Sequence, residues 1–266
     1  MKKIILISAI LLFCAACHSV GNDLDKYALN CKVVELTLQT DTLEFPYTVR
    51  FNASGRVETV TTRNYDGSFR FEESCIYDGK GRVTEILGVN DEQETEIRYE
   101  YDYDRTFVRE CRVYGMNNQE MHRWVHENNG RHIVKSDYYG EGELVYTLKK
   151  TFSGNKYDEE TLGSDGKLIG NATVYFSKTE TKPTRIVGDE IDVEVKYNDK
   201  GLPIMSRNTV LNSRAELQWI SDLEEHPSRF YQYEYDERGN WISRADRVHP
   251  DSAAYAVLRR TITYQK

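Results

Sequence analysis

The chain has 266 residues, 43 acidic against 35 basic, and a formal charge of −8. A balance of this sign repels phosphate backbones and anionic lipid heads, so nucleic acid is excluded as a partner. Only five prolines and no long low-complexity run argue for one folded domain behind the N-terminal leader.

Met1-Lys2-Lys3 precedes an apolar stretch, residues 4–16, of about thirteen residues where a membrane span needs roughly twenty. Residues 1–16 therefore read as a signal peptide. Ala15-Ala16-Cys17 supplies the small residues before a cysteine that a lipoprotein signal peptidase requires, making Cys17 the lipid attachment point, although Cys14 stands where leucine is usual. Cys14 and Cys17 form a C-x-x-C only formally, because a targeting segment holds neither a redox pair nor a zinc knuckle. Two or three acyl chains at about 0.8 kcal/mol per methylene make such an anchor effectively permanent. Loss of Lys2 and Lys3 with the leader takes the charge from −8 to −10. Residues 17–30 read as a lipidated tether, and the membrane is a partner through that lipid. By resemblance to Gram-negative sorting signals, His18 after the cysteine points to an outer-membrane lipoprotein of the cell envelope, periplasmic or surface-exposed. Asn22-Asp23-Leu24-Asp25 is either a weak acidic export tag or ordinary polar tether.

From residue 31 to 266 the dominant signal is period-two alternation, the mark of half-buried strands. Phe69, Phe71, Cys75 and Tyr77 fall on one face; Ile97, Tyr99 and Tyr101 oppose Arg98, Glu100 and Asp102; Leu144, Tyr146 and Leu148 oppose Val145, Thr147 and Lys149. The expected fold is all-β, an antiparallel meander of roughly sixteen strands whose dry side must be covered, so the sheet curls on itself or folds into two layers. At most one short helix is expected, from a capping box at Ser213 to Glu216 followed by Leu217, Ile220 and Leu223. Cys31, Cys75 and Cys111 are an odd number of thiols in an oxidising compartment, permitting one disulfide at most.

One turn phrase recurs. Phe51-Asn52 to Gly55, Tyr77-Asp78 to Gly81, Tyr197-Asn198 to Gly201 and Tyr235-Asp236 to Gly239 each place an aromatic four before glycine and Asp or Asn three before it. Asp or Asn opening a type I turn accepts local backbone bonds, and the glycine takes a positive φ. With a three-residue loop and a G1 bulge, Asp236 faces Asn240 and Tyr235 faces Trp241. Together with weaker copies near 105 and 130, the first turns recur at roughly 25-residue intervals, the spacing of stacked supersecondary units. Tyr233-Glu-Tyr235-Asp236-x-x-Gly239 resembles the YD repeat of RHS-type proteins and of small YD-repeat lipoproteins of Bacteroidetes. That resemblance implies stacked YD-type hairpins and is silent on activity.

No G-x-S-x-G, H-E-x-x-H, phosphate-cradling loop or EF-hand pattern is present, so neither an enzyme nor a cofactor is expected. His122, His126 and His132 are the one cluster to test as a metal site. In a G1-bulge register His126 faces His132; with a two-residue Asn129-Gly130 turn it faces Ile133. No register converges three ligands, so no metal site is expected. Nineteen tyrosines and three tryptophans offer rings for stacking on sugars or peptides, and Trp124, Tyr235 and Trp241 are the candidate binding residues, Trp124 the first to check for exposure. The resulting expectation is a non-catalytic, membrane-anchored structural or binding module with a possible protein or glycan partner. The alternatives are a surface glycan-binding lipoprotein and a lipid carrier with an apolar trough.

Overall fold

The computed structural model describes residues 23–40, 46–64, 66–177, 182–189, 191–210 and 228–265. The leader, Cys17 and the helix expected at Ser213 to Leu223 lie outside the described residues. The regular elements are a 3-10 turn at Asp23–Tyr27 and the strands β1 (Val33–Thr40), β2 (Tyr47–Phe51), β3 (Val57–Arg63), β4 (Phe69–Tyr77), β5 (Val83–Asn90), β6 (Thr95–Asp104), β7 (Phe107–Gly115), β8 (Glu120–Asn128) and β9 (Ile133–Gly140). They continue with β10 (Glu143–Ser153), β11 (Lys156–Gly163), β12 (Leu168–Phe176), β13 (Pro183–Gly188), β14 (Ile191–Tyr197), β15 (Pro203–Val210), β16 (Ser228–Tyr235), β17 (Trp241–Arg247) and β18 (Ala256–Tyr264).

Each strand pairs antiparallel with the next, from β1–β2 through β9–β10 to β17–β18. The ring then closes, because β1 pairs with β18 from Val33–Tyr264 to Thr40–Leu258. The expectation of a curled or two-layered sheet is corrected: the described residues form a closed up-and-down barrel of 18 strands. Closure satisfies the two rows of backbone groups that a meander would leave as edges. A ring of this many strands is too wide for side chains from opposite walls to fill it, so the apolar face packs sideways, strand to strand.

The two faces differ sharply in chemistry. Alternate residues on the more buried face build three apolar clusters, one around Leu36, Val49 and Phe51, one around Tyr99, Tyr101, Cys111 and Trp124, and one around Leu38, Leu202 and Trp241. Side chains crowd together on the concave side of a closed wall and splay apart on the convex side, so this is the inward face. Outward residues build a charge ladder. It includes Arg50 on Glu35, Arg98 on Glu100, Arg112 and Arg123 on Glu110, Lys135 on Asp137, Lys156 on Asp158 and Arg185 on Asp192. A bulge between Leu144 and Tyr146 breaks the expected parity, so Leu144 pairs with outward Tyr139 while Tyr146 pairs with inward Tyr138. Cys75 packs against the first apolar cluster, and Cys31, Cys75 and Cys111 form no disulfide.

The recurring turn phrase builds one rim of the barrel. At the β16–β17 turn the Gly239 amide donates to the Asp236 carbonyl (3.0 Å), the Asp236 amide donates to the Asn240 carbonyl (2.9 Å), and Tyr235 pairs with Trp241. Gly239 has φ 79°, a conformation that costs a residue with a Cβ about 1 kcal/mol or more. Gly55, Gly81 and Gly201 occupy the same place after Asn52, Asp78 and Asn198. What the phrase adds beyond turning is a clamp to the following turn. Arg56 lies over the Tyr77 ring and donates to the Gly81 carbonyl; Arg82 lies over Tyr103 and donates to the Arg105 carbonyl. Lys182 reaches over Tyr197 to the Gly201 carbonyl (2.6 Å), and Lys200 over Tyr235 to the Gly239 carbonyl (3.1 Å). The hydroxyls of Tyr77, Tyr103, Tyr197 and Tyr233 each donate to the carbonyl that opens the preceding strand, at Val57, Val83, Pro183 and Pro203.

This rim lacks a connecting turn where the chain's first and last strands meet, and residues 23–30 bridge the gap. The Asp23 amide donates to the Gly55 carbonyl (2.8 Å), and its carboxylate accepts from the Val57 amide (2.9 Å). At the other end the Asn30 side chain donates to the Gly239 carbonyl (3.0 Å), and its amide to Asn240 Oδ1 (2.6 Å). Leu24, Tyr27 and Leu29 bury themselves against Leu36, Val49 and Phe51. Residues 23–30, expected as tether, are thus a strap in the fold, because three apolar side chains and two polar clamps outweigh the freedom of so short a segment. Asp23 is a buried acceptor in that strap.

Asn240 is fully buried and also donates from Nδ2 to the Tyr264 hydroxyl (2.9 Å). Asn240→Ala strands the Asn30 amide and is expected to lower stability by about 1–3 kcal/mol, read by urea unfolding. At Gly88 an added Cβ would stand 2.6 Å from Ile97 Cγ2 and nearer still to the Phe71 ring. Gly88→Ala is expected to cost about 1–3 kcal/mol by overpacking, seen as a lower thermal midpoint with an unchanged far-UV spectrum.

Candidate functional site

The inner wall gathers the side chains with binding potential. Across β8, β9 and β10, Trp124 meets Tyr138 (ring centroids 4.7 Å), Tyr146 (5.6 Å) and His126 (6.2 Å). Trp124, the candidate binding residue to check first for exposure, is only 8% exposed. Trp241 is buried too, and Tyr235 is half-buried beneath Lys200. Outward tyrosines are also covered, Tyr114 by the guanidinium of Arg98 (4.4 Å) and Tyr139 by that of Arg123 (4.5 Å).

The three histidines do not converge. His126 pairs with Ser136, facing neither His132 nor Ile133, because the turn closes with Asn129 bonded to His132 and Asn128 paired with Ile133. His126 Nδ1 lies 2.8 Å from Ser136 Oγ, His122 shares a hydrogen bond with the Tyr138 hydroxyl, and His132 stacks on Phe152 at 4.0 Å. Burial lowers the pKa of His122. Among the described residues no cluster of three metal-ligating side chains exists.

Arg244 and Arg260 face inward among the aromatic rings of β16 to β18. Arg244 makes a two-pronged bond to Asp246 (2.8 and 2.9 Å). Burial opposes its charge, but the Asp246 carboxylate prevails and its pKa rises. Arg260 has no carboxylate partner among the described residues. It lies 3.5 Å over the Trp241 ring, donates from Nη1 to the Tyr27 carbonyl (2.7 Å), and keeps Nε buried with no acceptor. Burial pulls its pKa down to about 10, with the neighbouring Tyr47 and Tyr233 opposing and Arg244 adding to the fall. On β4, Glu73 faces inward between Val60 and Gly88, and burial raises its pKa.

Sequence reasoning missed these charges, although strict alternation could have found them. Arg260 shares parity with Leu258, Ile262 and Tyr264, and Glu73 with Phe71 and Cys75. A separate trough of about 930 Å³ over β12 to β15 is lined by Arg185, Asp192, Glu194, Lys196 and Arg207, and its central ion pair, Arg185 with Asp192, belongs to the outward ladder.

No protein-family model matches the chain, and no curated protein sequence does. Among solved structures it is similar to a porin-like protein from Bacteroides uniformis (TM-score 0.46, 10% identity, 86% of this chain and 96% of that one). It is also similar to a porin-like protein from Bacteroides vulgatus (TM-score 0.42, 11% identity, 88% and 98%). The YD-repeat assignment is corrected: no such family model matches, and the recurring phrase marks one rim of a closed ring instead of independent stacked hairpins.

Glu73 gives a test of the inner wall. A folded pKa above the unfolded one means the native state binds more protons, so this group costs stability as pH rises from its unfolded value, about 4.3, through its raised folded value. Glu73→Gln is expected to raise the thermal midpoint at pH 7 and to have no effect at pH 3.5.

Proposed function

We propose that this chain is a non-catalytic barrel of the cell envelope, working in water and held to the outer membrane by a lipid on Cys17. The observation that carries the reading is the direction of the alternation. A membrane-spanning barrel turns an apolar band outward to lipid and a polar wall inward, and an Arg or Lys at the lipid midplane costs about 2–4 kcal/mol. Here the charge ladder is outward and the tyrosine and aliphatic residues are inward. The absence of catalytic motifs and the leader ending just before Cys17 support the rest. A second reading, that the inner wall holds a ligand with apolar surface, is favoured by the same inward rings. The surface-glycan reading loses support because the two tryptophans in described residues are buried.

The chain from residue 18 is expected to purify monodisperse without detergent and to give no conductance steps in planar bilayers; a detergent requirement or stepwise conductance sinks the reading. In cells, Cys17→Ser in the full chain is expected to abolish fatty-acid labelling and to move the protein from the membrane pellet to the soluble fraction. Retention of this variant in the pellet would remove the anchor.

A further inference from the structure

Arg260 stands on the inner wall with no carboxylate partner among the described residues. The inference builds on the reading that the aromatic face is an inner binding wall. A guanidinium carried into such a wall is costly unless an opposite charge meets it. Two other cations of the inner wall have such a partner, Asp246 for Arg244 and Glu159 for Lys150 (3.4 Å), whereas Arg229 rests on the exposed Tyr255. Arg260 has aromatic stacking and one carbonyl instead, a set that orients the plane of the guanidinium and leaves its charge uncompensated. Stacking on Trp241 fixes the fork and leaves its donor edge to meet a planar acceptor.

The surroundings narrow the ligand. Leu38 and Arg260 are paired across β1 and β18, and Tyr47 is paired with Leu38 on the other side, so the Arg260 and Tyr47 side chains flank one leucine on the inner face. The Tyr47 hydroxyl has no hydrogen-bond partner among the described residues, whereas the Tyr233 hydroxyl is committed to the Pro203 carbonyl. Leu38, Leu202, Leu258 and Trp241 supply apolar surface around them.

We propose that Arg260, helped by Tyr47, binds the carboxylate or a similar oxyanion of a ligand lodged against the inner wall of the barrel. A planar oxyanion is the acceptor that matches the guanidinium fork two-to-two. The leucines beside it would add contact only for an acid that carries an apolar chain, so a long-chain carboxylate and a small free anion share the head-group chemistry and differ in the tail.

The test uses the chain from residue 18, which keeps the strap and all eighteen strands, with oleate, acetate and inorganic phosphate as probes of thermal stability and of binding by titration calorimetry. Saturable binding of at least one probe is expected, weakened roughly 30-fold or more by Arg260→Met and partly by Tyr47→Phe. Arg260→Lys keeps the charge and loses the fork, and is expected to bind in between. Preference for oleate over acetate assigns an amphiphilic acid; equal affinity for acetate, or a preference for phosphate, assigns a small anion. Binding that is unchanged in Arg260→Met, or no binding by any probe to a folded wild-type chain, overturns the proposal. Failure of the barrel to stay soluble without detergent would instead overturn the water-facing reading beneath it. If Arg260→Met does not fold, Tyr47→Phe and Arg260→Lys carry the same comparison.

Discussion

The pairing of β1 with β18 is the constraint on which the rest of the molecule depends. Every other ladder joins strands that are consecutive in sequence. This one joins residues more than two hundred positions apart, from Val33–Tyr264 to Thr40–Leu258. Without it the sheet has two open edges and no inside. With it, the alternation of each strand resolves into an inner and an outer wall, and the distinction between dry and wet faces becomes one between enclosed space and solvent.

A barrel so wide has no central core to hold it, and its stability is distributed along its surfaces. The inner clusters pack laterally along the wall, with the strap adding Leu24, Tyr27 and Leu29 where β1 and β2 need cover. At the rim, each basic residue that reaches from one turn to the next fixes the spacing of strand pairs as well as the turn itself. The same rim positions the inner wall: Tyr235 and Trp241 are held opposite each other by the Gly239 turn, and Trp241 in turn supports Arg260. The strap reaches the same neighbourhood through the carbonyl of Tyr27, which accepts from Arg260.

The all-β, antiparallel character was legible because strand alternation is a local property, written out in stretches such as Ile97 to Asp102. Register near a turn is legible for the same reason, since bonds among Asp236, Gly239 and Asn240 are all within five residues. Closure was not, because nothing local to Val33–Thr40 or Ala256–Tyr264 marks one as the partner of the other. Residues 23–30 look like tether in the sequence because Leu24, Tyr27 and Leu29 show no strand alternation to betray them. The inward charges were overlooked because attention to apolar members of each face passes over the exceptions, and Arg260 and Glu73 are the exceptions. His126 was placed in the wrong register because its turn is neither of the two simple forms considered, a reminder that one residue of loop length moves every contact beyond it.

The ring closure also dictates an order of assembly. Synthesis presents β1 first and its closing partner last of the described strands, so Leu36 and Leu38 must wait, unsheltered on one side, until all the others have been made. Folding therefore passes through a long interval in which hairpins exist but no enclosure does, and the edges of β1 and β18 stay open to mispairing until it ends.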